Sequence, residues 1–160
     1  MKKRIFALLI ALVLLLLLAG CGNKEPDYSA LITPTLDLDL AALLPAQEVS
    51  QAVGETLTLQ GIYEDGSQGI YANESGTVSL SVICQNQSRQ AFDEAMTEAP
   101  ADRVAEDGIT RIFTAEDTAE IMTWADGYGI DVALTAPGLE GTEARAQQVA
   151  ALVKEKLAAL

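Results

Sequence analysis

The chain has 160 residues, with 23 acidic and 10 basic side chains, a formal net charge of −13 and no histidine. A surface this acidic repels a phosphate backbone, so no nucleic-acid partner is expected. The missing histidine removes the commonest general base, the usual Ser-His and Cys-His nucleophile pairs and the commonest zinc ligand. We therefore expect no catalytic site, no metal site and no cofactor.

The chain begins with the features of an export signal. Lys2, Lys3 and Arg4 form a positive start, and a wholly apolar run follows over residues 5–18. As a helix this run would be about 21 Å long, which is shorter than the hydrocarbon core of a bilayer at ~30 Å. This length is typical of the apolar region of a signal peptide. An uncleaved anchor is one alternative, and a secreted protein with a chance cysteine is another.

The segment LAGC, residues 18–21, resembles the lipobox of bacterial lipoproteins. The resemblance implies that residues 1–20 are a cleaved signal peptide and that Cys21, lipidated with fatty acids such as palmitate, becomes the first mature residue. Each buried methylene contributes about 0.8 kcal/mol, so two or more acyl chains hold a protein stably on a membrane. The implied location is the extracytoplasmic face of the cell membrane, with the lipid on Cys21 as the membrane contact.

Cleavage would also change the charge and the cysteine chemistry. It removes three of the ten basic residues, which leaves seven against 23 acidic ones and a formal charge of −16. If Cys21 carries lipid, Cys84 has no partner for an internal disulfide. Cys84 ends a predicted strand on the same face as Val82, and we expect it to be a small buried apolar residue.

Residues 21–35 contain glycine, two prolines and mixed polar side chains, which is typical of a tether, and residues 36–160 then predict one domain. The alternating run LDLDL at 36–40 predicts a short strand or an extended lead into the domain. A helix is predicted over residues 40–54, with Pro45 near its start and Gly54 at its end. Three strands follow, separated by turns: Thr56–Tyr63, Gly69–Asn73 and Thr77–Cys84.

The second half repeats this order. Ser88 predicts the cap of a helix that runs to Ala99, and residues 101–108 form a polar connection. Thr142 predicts the cap of a final helix that runs to the C-terminus. Three more strands are predicted before it: Ile109–Thr114, Ala119–Trp124 and Ile130–Ala136. Because the links are short, we predict an α+β fold with an antiparallel sheet of about six strands in two meanders, and helices packed on one face. The two helix-plus-meander units leave an internal duplication open.

The segments LDLAALLPAQEVSQAVG (38–54) and AQQVAALVKEKL (146–157) give the domain a second resemblance. Their order around a meander is similar to the layout of small, uncharacterised extracytoplasmic lipoproteins of Gram-positive bacteria and of related sensor domains of receptor kinases. The helix-then-sheet order is also similar to the beta-lactamase-inhibitor-like fold of some envelope proteins. The resemblance implies a sensory or accessory role and assigns no functional residue.

Aromatic residues are the main indication of a recognition surface. Tyr63 and Tyr71 flank one predicted turn, while Trp124 and Tyr128 flank another, so four of the eight aromatic residues lie near loops. Such residues form binding hot spots, although they also pack across strands or close the edge of a core. We take these four as candidate ligand- or partner-binding residues.

Other chemistry has weaker support. The acidic turn at residues 64–67 lacks the spacing of a calcium loop, and with 23 acids two carboxylates can lie close together by chance. We therefore expect a membrane-anchored, non-catalytic binding or sensory/accessory module that engages a protein or an envelope component. A small-molecule-binding lipoprotein is the alternative, followed by a carboxylate-dependent hydrolase.

Overall fold

The computed structural model describes residues 38–63, 66–98 and 101–160, and in this part of the chain there are four helices and seven strands. The helices are α1 (Leu40–Leu43), α2 (Ala46–Val53), α3 (Arg89–Glu98) and α4 (Thr142–Leu157). The strands are β1 (Thr58–Tyr63), β2 (Gln68–Ala72), β3 (Ser79–Asn86), β4 (Arg103–Val104), β5 (Arg111–Ala115), β6 (Thr118–Ala125) and β7 (Tyr128–Thr135). The predicted signal peptide, Cys21 and the tether lie outside the described residues.

The strands form one antiparallel sheet in the order β1-β2-β3-β7-β6-β5-β4. It consists of two meanders, β1–β3 and β4–β7, which join where β3 pairs with β7 from Ser79↔Thr135 to Asn86↔Tyr128. The α+β class and the antiparallel sheet are therefore confirmed. The described part of the chain has seven strands because β4, a two-residue strand, forms within the predicted polar connection and pairs with β5.

The helix predicted over residues 40–54 is divided into α1 and α2 at Pro45. This proline lacks an N–H and disfavours helical backbone at the residue before it, and Leu44 accordingly lies outside the helical region at φ −123° and ψ 74°. Asp39 caps α1 by accepting a hydrogen bond from Ala42 N, and Gly54 ends α2 at φ 75°. Ser88 caps α3 as predicted, since its Oγ accepts from Ala91 N at 3.1 Å. The predicted cap at Thr142 is wrong, because Thr142 is the first residue of α4 and Gly141 holds the cap position.

The main core lies between α1, α2 and α4 and one face of the sheet, which we call the first face. Leu80, Val82 and Cys84 alternate along β3 and point into this core, so the predicted burial of Cys84 is confirmed. Burial raises the pKa of the Cys84 thiol to about 12. The corresponding residues of β7 are Ile130, Val132 and Leu134.

The opposite side of the sheet, which we call the second face, carries the intervening residues. Because residues paired across antiparallel strands lie on the same side, the register defines rows across this face. One row consists of Tyr63, Gln68, Ile83, Asp131, Met122 and Arg111. The next row consists of Gly61, Ile70, Ser81, Ala133, Glu120 and Phe113.

Helix α3 packs apart from the main core. Phe92 and Met96 are buried, but neither belongs to the cluster formed with the other helices. The helix lies against β7, and the link before it places the Gln87 side chain over Gly129, where an added Cβ would collide with Gln87 Oε1. Gly129 pairs with Trp124 on the second face, so α3 begins above that face.

Candidate functional site

Tyr71 is a core residue. Its side chain is 0% exposed, and its hydroxyl donates a 2.8 Å hydrogen bond to Leu44 O at the end of α1. Burial, with a smaller contribution from Cys84, raises the pKa of Tyr71 to about 12. Gly69 leaves room for the ring, because a Cβ there would lie 3.2 Å from it. The phenol ties β2 to α1 and is not accessible to a ligand.

Tyr128 also belongs to the core, at 8% exposed. Burial, followed by the nearby Cys84, raises its pKa. Tyr128 pairs with Ala125 across the hairpin, whereas Trp124 pairs with Gly129. This register places Tyr128 on the first face and Trp124 on the second face, so the structure does not bring these two rings together.

Trp124 connects the second face to the start of α3. Its indole N–H donates a 2.7 Å hydrogen bond to Gln87 O, and the guanidinium carbon of Arg89 lies 5.9 Å from the ring centroid. Arg89 also forms an ion pair with Asp93 one turn further along the helix. The ring is partly exposed, and its polar atom is already used inside the protein. Trp124 can therefore offer a partner its ring, but not its N–H.

Tyr63 is the most accessible of the four predicted residues. It is 50% exposed at the end of β1, next to Ile62 at 37%. Its ring lies across Gly61, because a Cβ on that residue would be 2.8 Å from the Tyr63 hydroxyl oxygen. We call Gly61, Ile62 and Tyr63 the β1 edge surface. Tyr63 and Trp124 share the second face but lie four strand spacings apart, about 19 Å at ~4.8 Å per strand.

Sequence reasoning missed Asp131, an acid inside the β7 run YGIDVALT. Its Oδ1 is inaccessible to solvent and accepts no hydrogen bond from any described residue. The paired neighbours are Ile83 and Met122, which offer no donor from their side chains. Burial, with a smaller contribution from the charge of Glu120, raises the pKa of Asp131 to about 6. A lone carboxylate within an apolar strand was the signal available in the sequence.

Asp107 shows the opposite behaviour in an accessible turn. Burial alone would raise its pKa, but hydrogen bonds from Thr110 and Ile109 and the charge of Lys154 outweigh this effect and lower the pKa to about 2. Its Oδ1 accepts from both backbone N–H groups at 2.8 Å, and its Oδ2 accepts from the Thr110 hydroxyl at 2.7 Å. This carboxylate organises the turn before β5.

Two open depressions adjoin the start of β1. One, of about 680 Å³, is lined by Glu55, Thr56, Thr58, Asn73, Glu74 and Ser75. The other, of about 640 Å³, is on the α2 side and shares Glu55 and Thr56 with the first. A smaller cavity of about 230 Å³ lies between α4, β6 and the turn that joins β4 to β5, beside Thr110 and Lys154. The charged side chains that line the first depression, Glu55 and Glu74, are both acidic, and the Arg145 guanidinium lies beside Gly54 at the second.

Two further properties concern the described residues. Across residues 38–63, 66–98 and 101–160, no three Asp, Glu or Cys side chains gather in a way that could hold a metal ion. Within the same ranges, no helix combines the length and apolar character needed to cross a bilayer.

Comparison with known proteins gives no relative for this arrangement. No family model matches the sequence, and neither the curated proteins nor the solved structures give a significant match.

Proposed function

We propose that the chain is a membrane-anchored extracytoplasmic lipoprotein whose domain is a non-catalytic binding or sensory/accessory module for a protein or an envelope component. The observation that carries this proposal is the leader, in which a positive start, a short apolar run and the segment ending at Cys21 follow in order. The lipid on Cys21 would hold the domain at the membrane surface, where it can meet a partner.

The described surface supports a binding role through two aromatic positions. Tyr63 and Ile62 expose apolar area at the end of an edge strand, and the Trp124 ring is partly exposed beside Arg89. Exposed aromatic residues contribute disproportionately to binding energy at protein interfaces. Tyr63 and Trp124 lie far apart on the second face. We therefore assign the partner contact to Tyr63 and treat Trp124 as a separate candidate.

Metabolic labelling with a palmitate analogue tests the anchor. We expect Cys21→Ser to lose the label and to accumulate as a precursor that retains residues 1–20. Cys84→Ala is the matched control, because it removes the other cysteine and should keep both the label and the processing. Normal labelling and maturation of Cys21→Ser would contradict the proposal.

Site-specific photocrosslinking in native membranes tests the binding surface. A photoreactive residue at Tyr63 should give a discrete crosslinked product, whereas one at Val104, which is equally exposed on the other edge of the sheet, should not. A product from Trp124 alone would move the contact to the start of α3. Equal products from Tyr63 and Val104 would show that neither edge is selective and would contradict the assignment.

A further inference from the structure

The two edges of the sheet differ in the surface that they offer to a partner. The edge strand β4 has two residues, whereas β1 has six, and the β1 sequence TLQGIY contains neither a charge nor a proline. A strand edge presents unpaired N–H and C=O groups, and natural proteins usually protect it with charges, prolines or bulges. Of the two, β1 is the edge that another strand could extend.

A bulge limits this opening to the second half of β1. The register shifts between Leu59 and Gly61, and the Gln60 side chain donates to Thr58 O at 3.2 Å and to Thr58 Oγ1 at 2.7 Å. The first half is thus partly covered by its own side chain. The β1 edge surface continues beyond the bulge and carries Ile62 and Tyr63, two of the four large apolar side chains exposed in the described part of the chain.

The segment of sequence that contains β1 carries charges of one sign, although Arg145 of α4 reaches Val53 O just before the strand. Between Lys24 and Arg89 the sequence has nine acidic residues and no basic one. Among them, Glu48 is paired with Lys156 of α4, but Glu55 and Glu74 have no ion-pair partner in the described residues. Both line the depression at the start of β1. In the sequence, Glu64 and Asp65 follow the strand at its other end.

We propose that the β1 edge surface binds a basic, extended polypeptide segment by strand addition. The inference rests on the proposed function as a binding module and specifies its partner. The backbone of the added segment pairs with Gly61–Tyr63, and the apolar side chains on one side of the segment contact Tyr63 on the second face, while Ile62 borders the segment from the first face. The lysine or arginine side chains of the segment reach the acidic depression containing Glu55 and Glu74. A second copy of the chain fits less well, because it would bring the same acidic residues together at the contact.

Fluorescence anisotropy with defined peptides tests the proposal. The full-length lipidated protein is placed in nanodiscs of zwitterionic lipid, and empty nanodiscs correct for adsorption. The probe is a labelled decapeptide of alternating lysine and valine. We expect it to bind at least tenfold more tightly than a glutamate–valine peptide and than a lysine–valine peptide with N-methylated backbone. Binding of the probe should weaken as salt rises, because Glu74 is exposed and Glu55 is partly exposed.

Variants locate the site. Tyr63→Ser should weaken binding of the lysine–valine probe by about tenfold, in line with the loss of an interfacial hot-spot side chain. The double variant Glu55→Gln/Glu74→Gln should weaken it by about five- to tenfold and reduce its salt dependence. Val104→Ser is the matched control at the other edge and should bind within twofold of the parent. Thermal unfolding of each variant verifies that the fold is retained.

Several outcomes would overturn the inference. Equal binding of the lysine and glutamate peptides would exclude charge complementarity, and unchanged binding of the N-methylated peptide would exclude strand addition. No peptide binding, together with a dimer that Tyr63→Ser dissociates, would show that the edge pairs with a second copy. A failure of these titrations leaves the labelling of Cys21 and a crosslink at Trp124 unaffected, so it is distinguishable from a failure of the proposed function.

Discussion

Replacement of Asp131 by asparagine should stabilise the domain at neutral pH. The carboxylate is held on the second face between Ile83 and Met122, and its Oδ1 has no hydrogen-bond partner among the described residues. An ionised group in such a place is costly, whereas an isosteric neutral side chain keeps the packing without the charge. The substitution therefore removes a destabilising charge from the folded state.

The magnitude follows from the pKa of Asp131, which burial raises from 3.8 to about 6. At about 1.4 kcal/mol per pH unit this difference corresponds to ~3 kcal/mol, and partial contact of the side chain with solvent reduces it to about 2–3 kcal/mol. Below pH 3.8 the carboxyl is protonated in both states. Between pH 3.8 and about 6 the folded state binds more protons than the unfolded one, so the free energy of unfolding falls over this range. Above about pH 6 it levels off.

Urea unfolding measures this effect, with the fluorescence of Trp124 as the signal, because the chain has one tryptophan. We expect Asp131→Asn and the parent to have equal stability near pH 3.5 and to differ by about 2–3 kcal/mol at pH 7.5, with the variant more stable. Asp117→Asn, in the exposed turn before β6, is the control and should stay within ~0.5 kcal/mol of the parent. A difference that is independent of pH, or a variant less stable at pH 7.5, would refute the reasoning.

Three further substitutions test other parts of the structure. Tyr71→Phe should cost about 1–2 kcal/mol in urea unfolding, because Leu44 O loses its donor while the ring remains; an unchanged midpoint would show that this carbonyl finds another donor. Asp107→Ala should lower the melting temperature at neutral pH but have little effect near pH 2, since its stabilising contribution is lost as the pH falls through about 2; an equal loss at both pH values would contradict the role of its charge. Glu120→Gln should lower the pKa of Asp131 slightly, because burial is the larger cause; return of that pKa to 3.8 would reverse this ranking.

The strands were the most predictable part of the fold. Alternation places Leu80, Val82 and Cys84 on one face of β3, as the period of two requires. The Asp126-Gly127 turn also follows from the sequence, because both residues adopt positive φ, at 51° and 88°, in a two-residue hairpin. These features depend on residues close together in the chain, and local patterns are sufficient to predict them.

The roles of the aromatic residues depend on the register of the strands, which local sequence patterns do not predict. Proximity to a turn predicts that a residue lies near a sheet end, but not which face it occupies. Tyr71 pairs with Leu59 and faces the core, while Tyr63 pairs with Gln68 and faces away from it. A bulge at Gln60 lies between these pairs and changes the alternation of β1. Burial of Tyr71 and exposure of Tyr63 could therefore be distinguished only in the folded structure.

The place of β7 between β3 and β6 has a consequence for how the domain is assembled. These two neighbours come from different meanders, and β7 is the last strand to be synthesised. Until residues 128–135 have emerged, β3 and β6 each have a side without a partner. When β7 folds back on β6 as a hairpin, it forms hydrogen bonds with both β6 and β3. The pairing with β3 joins residues that are about 50 positions apart in the sequence. A chain truncated at Ala125 would thus expose two long strand edges, each able to pair with another chain.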